Sequence, residues 1–252
     1  MEQHHYEDMY KTQNSHWWFV GRRNIIKSQI RKLNLKKESE ILEVGCGTGG
    51  NIELLTKFGN VSAFEMNEYA LRTSKKIAKK INFSIELSPG YCPDNIPFKE
   101  KKFDFICMLD VLEHIEEDDT TISNLKNKLN ENGHILITVP AYNWLWSKHD
   151  EINHHKRRYS KGSIKKLIQS KNMKLIKLSY FNSFLFPIAA AVRLLDLEKN
   201  IDEREINKNS VNNRIFNWLL TKIFSFERHL IKFFSFPFGL SIILILKNEK
   251  KA

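Results

Sequence analysis

Gly45, Gly47, Gly49 and Gly50 crowd into the segment ILEVGCGTGGN (41–51) directly after an apolar run, and Glu65 closes a second apolar run twenty residues beyond the first glycine. Glycines in a turn let backbone N–H groups come close to a ligand. A carboxylate at the end of the next strand is placed to take ribose hydroxyls. The spacing fits two cradles. Gly45, Gly47 and Gly50 match the GxGxxG pattern for a dinucleotide, while Gly45, Gly47 and Gly49 match a GxGxG turn for a nucleoside with an amino-acid tail. A second reactive set lies in AYNWLWSKHDEINHHKRRYS (141–160). There His149, His154 and His155 are candidate proton acceptors near neutral pH. Arg157 and Arg158 are candidates for holding a phosphate or carboxylate, and Trp144, Trp146 and Tyr159 for packing a flat or apolar molecule.

The hydrophobic periodicity supplies a scaffold for these side chains. Apolar runs bounded by turn residues occur at 40–45, 61–65, 82–87, 103–109 and 133–139, with helical stretches at 51–58, 69–80 and 120–129. Strand and helix in alternation predict an α/β fold with a parallel sheet and right-handed crossovers. A helix over 24–33 precedes it. After 139 come the polar aromatic loop, a helix (161–170), a strand (173–180), about fifty residues of helical character and a final buried strand (239–248). An open sheet of this kind binds ligands beyond the carboxyl ends of its strands, where the glycine turn, Glu65 and the loop all fall.

The 252 residues carry 40 Lys and Arg against 29 Asp and Glu, a formal charge of +11, and are 42% hydrophobic. That composition builds a full core and excludes a disordered or collagen-like chain. The excess is local. Residues 11–37 and 152–195 hold eight and ten basic residues and no acid, leaving 22 basic against 29 acidic elsewhere. Such zones attract nucleic acid, anionic lipid or a phosphorylated substrate. Cys46, Cys92 and Cys107 form no CxxC, and the polar start MEQHHYEDMY is not a signal segment. A reducing cytoplasm, with no disulfide framework and no metal, is the expectation. The longest apolar run, 184–192, falls far below the ~20 residues of a spanning helix.

Three further features narrow the choice of cradle. Glu43 leads into the turn, the fourth strand ends as LDVLEHI (109–115), and the fifth reads ENGHILITVP (131–140). Together with the glycines and Glu65 they resemble the class I S-adenosylmethionine-dependent methyltransferases, of the broad type that includes the ubiquinone-biosynthesis enzymes, over roughly residues 40–159. The resemblance implies a Rossmann-like seven-stranded, mostly parallel sheet with an antiparallel last strand. The chain then divides into an N-terminal helical arm (1–38) and a methyltransferase domain (39–252), with a helical insertion (182–238) that the periodicity marks between the last two strands. By position, Gly45, Gly47 and Gly49 would line the methionine portion of the cofactor and Glu43 would sit beneath its amino group. Glu65 would take the ribose, Met66 would pack on adenine, and Asp110 would lie beside the sulfonium. HWWFVGRR (16–23) is similar to arms that fold over the cofactor, which implies a contact between Arg22 and its carboxylate. One departure stands out. Tyr91 occupies a position where family members often carry an acid, leaving Asp94 or backbone near Cys92 to meet the adenine amine.

The activity so implied is methylation of a small or lipid-linked acceptor on oxygen, nitrogen or carbon, with His149, His154 and His155 as catalytic candidates and Trp144, Trp146, Arg157, Arg158 and Tyr159 as substrate candidates. An RNA methyltransferase is the rival that the +11 charge favours. No recognisable RNA module and no NPPY-like tetrapeptide follow, so nucleic acid is not the expected partner. A silent cofactor-binding protein is the other rival. Residues 181–238 hold 10 of the 17 phenylalanines. Ile215, Leu219, Ile223, Phe226, Leu230 and Phe233 recur at helical spacing, with Arg214, Thr221, Arg228 and Lys232 on the other side. Such a stripe has to be covered by the core or a substrate lid, by an anionic membrane at the inner face of the cell, or by a homodimer partner.

Overall fold

Seven strands form one sheet; six fall on the expected apolar runs, and the third lies at Glu86–Pro89, overlapping only the end of the expected run 82–87. The computed structural model describes residues 3–81, 83–194 and 213–249. The strands are β1 (Glu40–Val44), β2 (Asn60–Glu65), β3 (Glu86–Pro89), β4 (Phe103–Leu109), β5 (Leu129–Pro140), β6 (Lys174–Phe181) and β7 (Ser241–Lys247). In β1, β4 and β7 nearly every side chain is buried, which is why they read as continuous apolar runs: both sheet faces are covered. The helices are α1 (Gln3–Thr12), α2 (Trp17–Ile30), α3 (Ile52–Leu55), α4 (Glu68–Ile81), α5 (Asp118–Asn127), α6 (Lys148–Ile152), α7 (Lys161–Gln169), α8 (Phe186–Leu194) and α9 (Arg214–Leu230).

The strand order is β3-β2-β1-β4-β5-β7-β6. β1 pairs in parallel with β2 on one side and β4 on the other, so the order reverses beside β1. That reversal opens a crevice at the carboxyl ends of β1, β2 and β4. β7 runs antiparallel to both β5 and β6, as the resemblance implied for the last strand.

The N-terminal arm is longer than the periodicity indicated. His16 caps α2 by accepting from the Trp18 N–H at 3.2 Å, so the aromatic-basic cluster forms the first turns of a helix. α1 precedes it, where a polar start was read. The insertion lies between β6 and β7. Within it α9 packs on α2, and a Cβ on Gly21 would overlap the Phe224 ring. Phe224 stacks on Phe181 of β6 at 6.1 Å and meets Trp17 edge-on at 5.9 Å. Asn217 accepts from the Trp17 N–H at 2.8 Å. Glu227, fully buried, accepts from the Ser183 and Phe184 N–H groups at 2.6 and 2.9 Å. Residues 195–212, part of the expected insertion, lie outside the described residues, as do the ends of the expected arm and domain.

The apolar stripe of α9 divides in a way the spacing did not reveal. Phe224 and Ile231 turn inward, while Ile215, Leu219, Phe226 and Phe233 are exposed, Ile215 by 80% and Phe233 by 86%. Ile223 and Leu230 pack half-buried against the core. Among the described residues no helix is long and apolar enough to cross a membrane.

Candidate active site

The turn after β1 takes Gly45, Gly47 and Gly49 through φ of +64°, +53° and +84°, a region that costs any side chain-bearing residue strain. A Cβ on Gly45 would also meet Val111 at 2.8 Å. The turn is tied to β2 twice. The Cys46 N–H donates to the Phe64 carbonyl at 3.1 Å, and the Gly47 N–H donates to Glu65 Oε2 at 2.9 Å. The Asn67 N–H fixes Glu65 Oε1 at 2.9 Å. Burial raises the Glu65 carboxyl while these backbone donors work to keep it ionised. Each oxygen keeps acceptor capacity beyond one hydrogen bond, which suits a pair of ribose hydroxyls.

Glu43 lies on the floor of the crevice. Its Oε1 accepts from Asn51 Nδ2 at 2.9 Å, and its buried Oε2 has no partner. Burial pushes this carboxyl up to about 7. A buried carboxylate oxygen without a donor calls for an explanation, and the amino group of a cofactor would satisfy it. The glycine turn, Glu65 and this orphaned oxygen together fit S-adenosylmethionine.

Arg22 reaches the same crevice from α2. Its guanidinium sits 4.4 Å from the centre of the Trp18 ring and pairs with the carboxylate of Asp110, directly after β4. The expected partner was the cofactor's carboxylate; in the structure Arg22 meets a protein acid, and its buried Nε has no partner. Met66 is exposed by 75%, open to stack on a ring system. Tyr91 is also exposed. Sequence reasoning missed the cover on the site. The Gln13 side chain of the turn after α1 accepts from Thr48 Oγ1 at 2.8 Å, and Met9 Sδ would lie 3.6 Å from a Cβ on Gly47. Tyr6 is close enough to Glu65 that burial and this acid both raise its hydroxyl.

The loop after β5 is resolved into structural and reactive parts. Asp150 is fully buried in α6. Arg158 grips it with Nε and Nη2, at 2.7 and 2.8 Å, and gives Nη1 to the Ala141 carbonyl at 3.2 Å. Arg157 pairs with Asp118 at 3.1 Å and Glu116 at 3.2 Å. Tyr159 is buried and donates its hydroxyl to Asp118 at 2.9 Å. These three, expected to bind substrate, instead fasten the loop to the 110–118 segment and to α6, because the acids that neutralise them come from within the chain.

The histidines separate as well. His149 and His154 are exposed. His155 Nδ1 lies 2.8 Å from Asp150 Oδ1. Burial works to raise Asp150, but the His155 and Arg158 hydrogen bonds hold it well below the usual carboxylate range. An ionised carboxylate only accepts, so His155 Nδ1 carries the hydrogen of this bond. The His155 ring stands edge-on to His114 at 4.7 Å. Ligand atoms of Glu113, His114 and His155 all lie within 4.8 Å of one another, a set that could hold a cation. Burial, with Asp110 next, drives Glu113 towards its neutral form, and burial, with His155 next, lowers His114 to about 4.

Trp144 and Trp146 are partly exposed. Trp144 joins a wall formed by Tyr142, Tyr180, Phe186 and Phe238. Tyr142 stacks on Tyr180 at 4.9 Å, Trp144 meets Phe186 at 6.2 Å, and Phe186 meets Phe238 at 5.5 Å. Of this wall only Trp144 was legible in advance.

Residues 21–178 match the profile of the methyltransferase domain family. The chain is 26% identical over 137 residues to the sterol 24-C-methyltransferase of Candida albicans, covering 52% of this chain and 35% of that protein. It is 25% identical over 223 residues to the ribosomal RNA small subunit methyltransferase A of Mesomycoplasma hyopneumoniae, covering 83% and 75%. The chain spans about half the length, or less, of the first curated relatives it matches. Among solved structures, the magnesium protoporphyrin IX methyltransferase of Synechocystis PCC 6803, determined with bound S-adenosylhomocysteine, has the same fold, with a TM-score of 0.56, 14% identity and coverage of 92% of this chain and 85% of that one. The matched span runs from the helix that carries Arg22 to the sixth strand and takes in the glycine turn, Glu43, Glu65, Met66 and Asp110: the chain belongs to the methyltransferase domain family.

Proposed function

We propose that this methyltransferase acts on a hydroxyl or similar proton-bearing atom of a small or lipid-linked acceptor, with His155 as general base. The observation that carries this reading is the hydrogen bond between His155 Nδ1 and the fully buried Asp150, which fixes the ring beside His114 and leaves its other nitrogen, Nε2, turned away from that acid. When bound, S-adenosylmethionine supplies an electrophilic methyl group for in-line displacement. His155 Nε2 would take the acceptor's proton as the methyl group is transferred. Glu43, Glu65 and the glycine turn would hold the donor, and the wall of Tyr142, Trp144 and Phe186 would present the acceptor's apolar part. The sterol named for one relative is a lipid acceptor, which agrees with an aromatic wall.

Incubating the protein with methyl-labelled cofactor and separate lipid, small-molecule and RNA fractions tests the acceptor class. Label in lipid or small molecules supports the reading. Label in RNA favours the second reading, which rests on the +11 charge and on the long match to a ribosomal RNA methyltransferase. His155→Gln should lower kcat on the labelled acceptor by about 10²–10⁴-fold, the ordinary worth of a positioned base, with cofactor affinity unchanged.

A further inference from the structure

We propose that the outer face of α9, together with the start of α8, docks on an anionic lipid bilayer and brings the aromatic wall to the membrane surface. The proposal deepens the function above, resting on its lipid-acceptor reading for purpose but not for the docking itself.

Among the described residues the face is apolar and exposed. Ile215, Trp218, Leu219, Phe226 and Phe233 lie on one side of α9 and its continuation, and all are exposed. Ile188 on α8 is exposed by 66%. An exposed patch of this size on a protein surface marks a contact, and its charge says with what. Lys222 lies 5.6 Å over the Trp218 ring and Lys32 lies 5.9 Å over the Phe233 ring. The Lys32 ammonium also donates to the Lys232 carbonyl, holding α2 to the end of α9. Arg214 and Lys232 flank the same helix. Residues 11–37, 152–194 and 213–248 contain one acid, Glu227, and it is fully buried beneath α9. Among the described residues of this face the aromatic side chains are interleaved with cations, which matches the headgroup region of an anionic bilayer, where rings enter the acyl boundary and lysines stay with the phosphates.

The docking face also runs into the active site. Phe226 meets Phe184 at 6.2 Å, and Phe184 meets Phe236 at 6.1 Å. Ser183 donates to the Phe238 carbonyl at 2.6 Å, and Phe238 meets Phe186, which meets Trp144. The rings at the exposed helix and the rings of the wall are thus two groups joined through the Ser183–Phe238 hydrogen bond. An acceptor with a polar head and an apolar tail would keep its tail in contact with apolar groups in both.

Flotation of the full chain with vesicles of phosphatidylcholine, with and without phosphatidylglycerol, tests the docking. The expected result is binding to the mixed vesicles at low salt, at least tenfold weaker to pure phosphatidylcholine and lost at high salt. Phe226→Ser with Phe233→Ser, and separately Lys222→Glu with Lys232→Glu, should each abolish binding while S-adenosylmethionine affinity and melting temperature stay at wild-type values. The charge pair guards against misreading a folding defect in the phenylalanine pair. No binding to the anionic vesicles, equal binding to both compositions, or a solution dimer disrupted by these same substitutions in a protein that ignores vesicles would each overturn the proposal. Because flotation needs no methyl transfer, its failure leaves the proposed chemistry standing, and label found only in RNA would sink the chemistry without touching the docking.

Discussion

The guanidinium of Arg22, in the second helix, closes on the carboxylate of Asp110 at the end of the fourth strand, 88 residues away, with only 8% and 17% of the two side chains exposed. This pair fixes the N-terminal arm to the floor of the methyl-donor crevice, where Glu43 and Glu113 also feel the arginine's charge. Arg22→Met leaves Asp110 uncompensated and should cost about 3–5 kcal/mol of stability, the range for breaking a largely buried pair. Adding Asp110→Asn should recover part of that loss. Urea unfolding of the three proteins decides it, and strictly additive losses would mean that the two side chains act independently.

Glu43 makes stability and cofactor binding depend on pH in opposite senses. Its carboxyl titrates at about 7 in the folded chain because burial disfavours the charge, against an ordinary 4.5. The folded state therefore holds a proton that the unfolded state releases. The resulting stabilisation is complete below about 4.5 and is lost as pH rises through about 7. Glu43→Gln cannot ionise, so it should gain on the wild type by on the order of 2–3 kcal/mol between about pH 4 and pH 8. The same change should weaken the cofactor, whose amino group would lose the carboxylate. Parallel stability curves for the two proteins would show that Glu43 does not titrate in this range.

Arg158 and His155 share Asp150 but should fail differently. Arg158→Gln removes the bidentate grip on a fully buried acid and should lower stability by about 3 kcal/mol, with KM and kcat disturbed together. His155→Gln should leave the melting temperature near wild type and act on kcat. Reversed effects, with Arg158→Gln stable and selectively raising the acceptor's KM, would return the arginine to substrate binding.

Gly21 is where the two long helices touch. A methyl group there would overlap the ring of Phe224, which is itself fully buried against Phe181. Gly21→Ala should destabilise by about 1–3 kcal/mol, the usual cost of overpacking, and Phe224→Leu in the same chain should relieve it. An alanine variant as stable as wild type would show that the helices do not pack this closely.

What the sequence made legible follows from how local each signal is. β1, β4 and β7 are apolar on both faces, so burial alone marked them, and the glycine turn and Glu65 carry their geometry in residue type and spacing. Asp150 could not be read this way. Its buried state depends on Arg158 and His155 turning towards it, and a loop rich in both charges does not say which ones face inward. The first helix escaped for a similar reason. Its residues are polar, and its purpose lies in Tyr6, Met9 and the following Gln13 meeting a turn some forty residues later. The stripe on Arg214–Leu230 was visible at helical spacing, yet its exposure came to light only once Phe224 and Ile231 were seen to supply the buried side.

The central claim is that the glycine turn and Glu65 hold S-adenosylmethionine, and titration calorimetry of that cofactor into wild type and Glu65→Ala tests it most directly. Two charge-assisted hydrogen bonds to the ribose predict saturable binding by the wild type and a loss of ~2–4 kcal/mol in the variant. Equal affinity in both proteins would remove Glu65 from the ribose. Binding of NAD in place of S-adenosylmethionine would contradict the account as a whole.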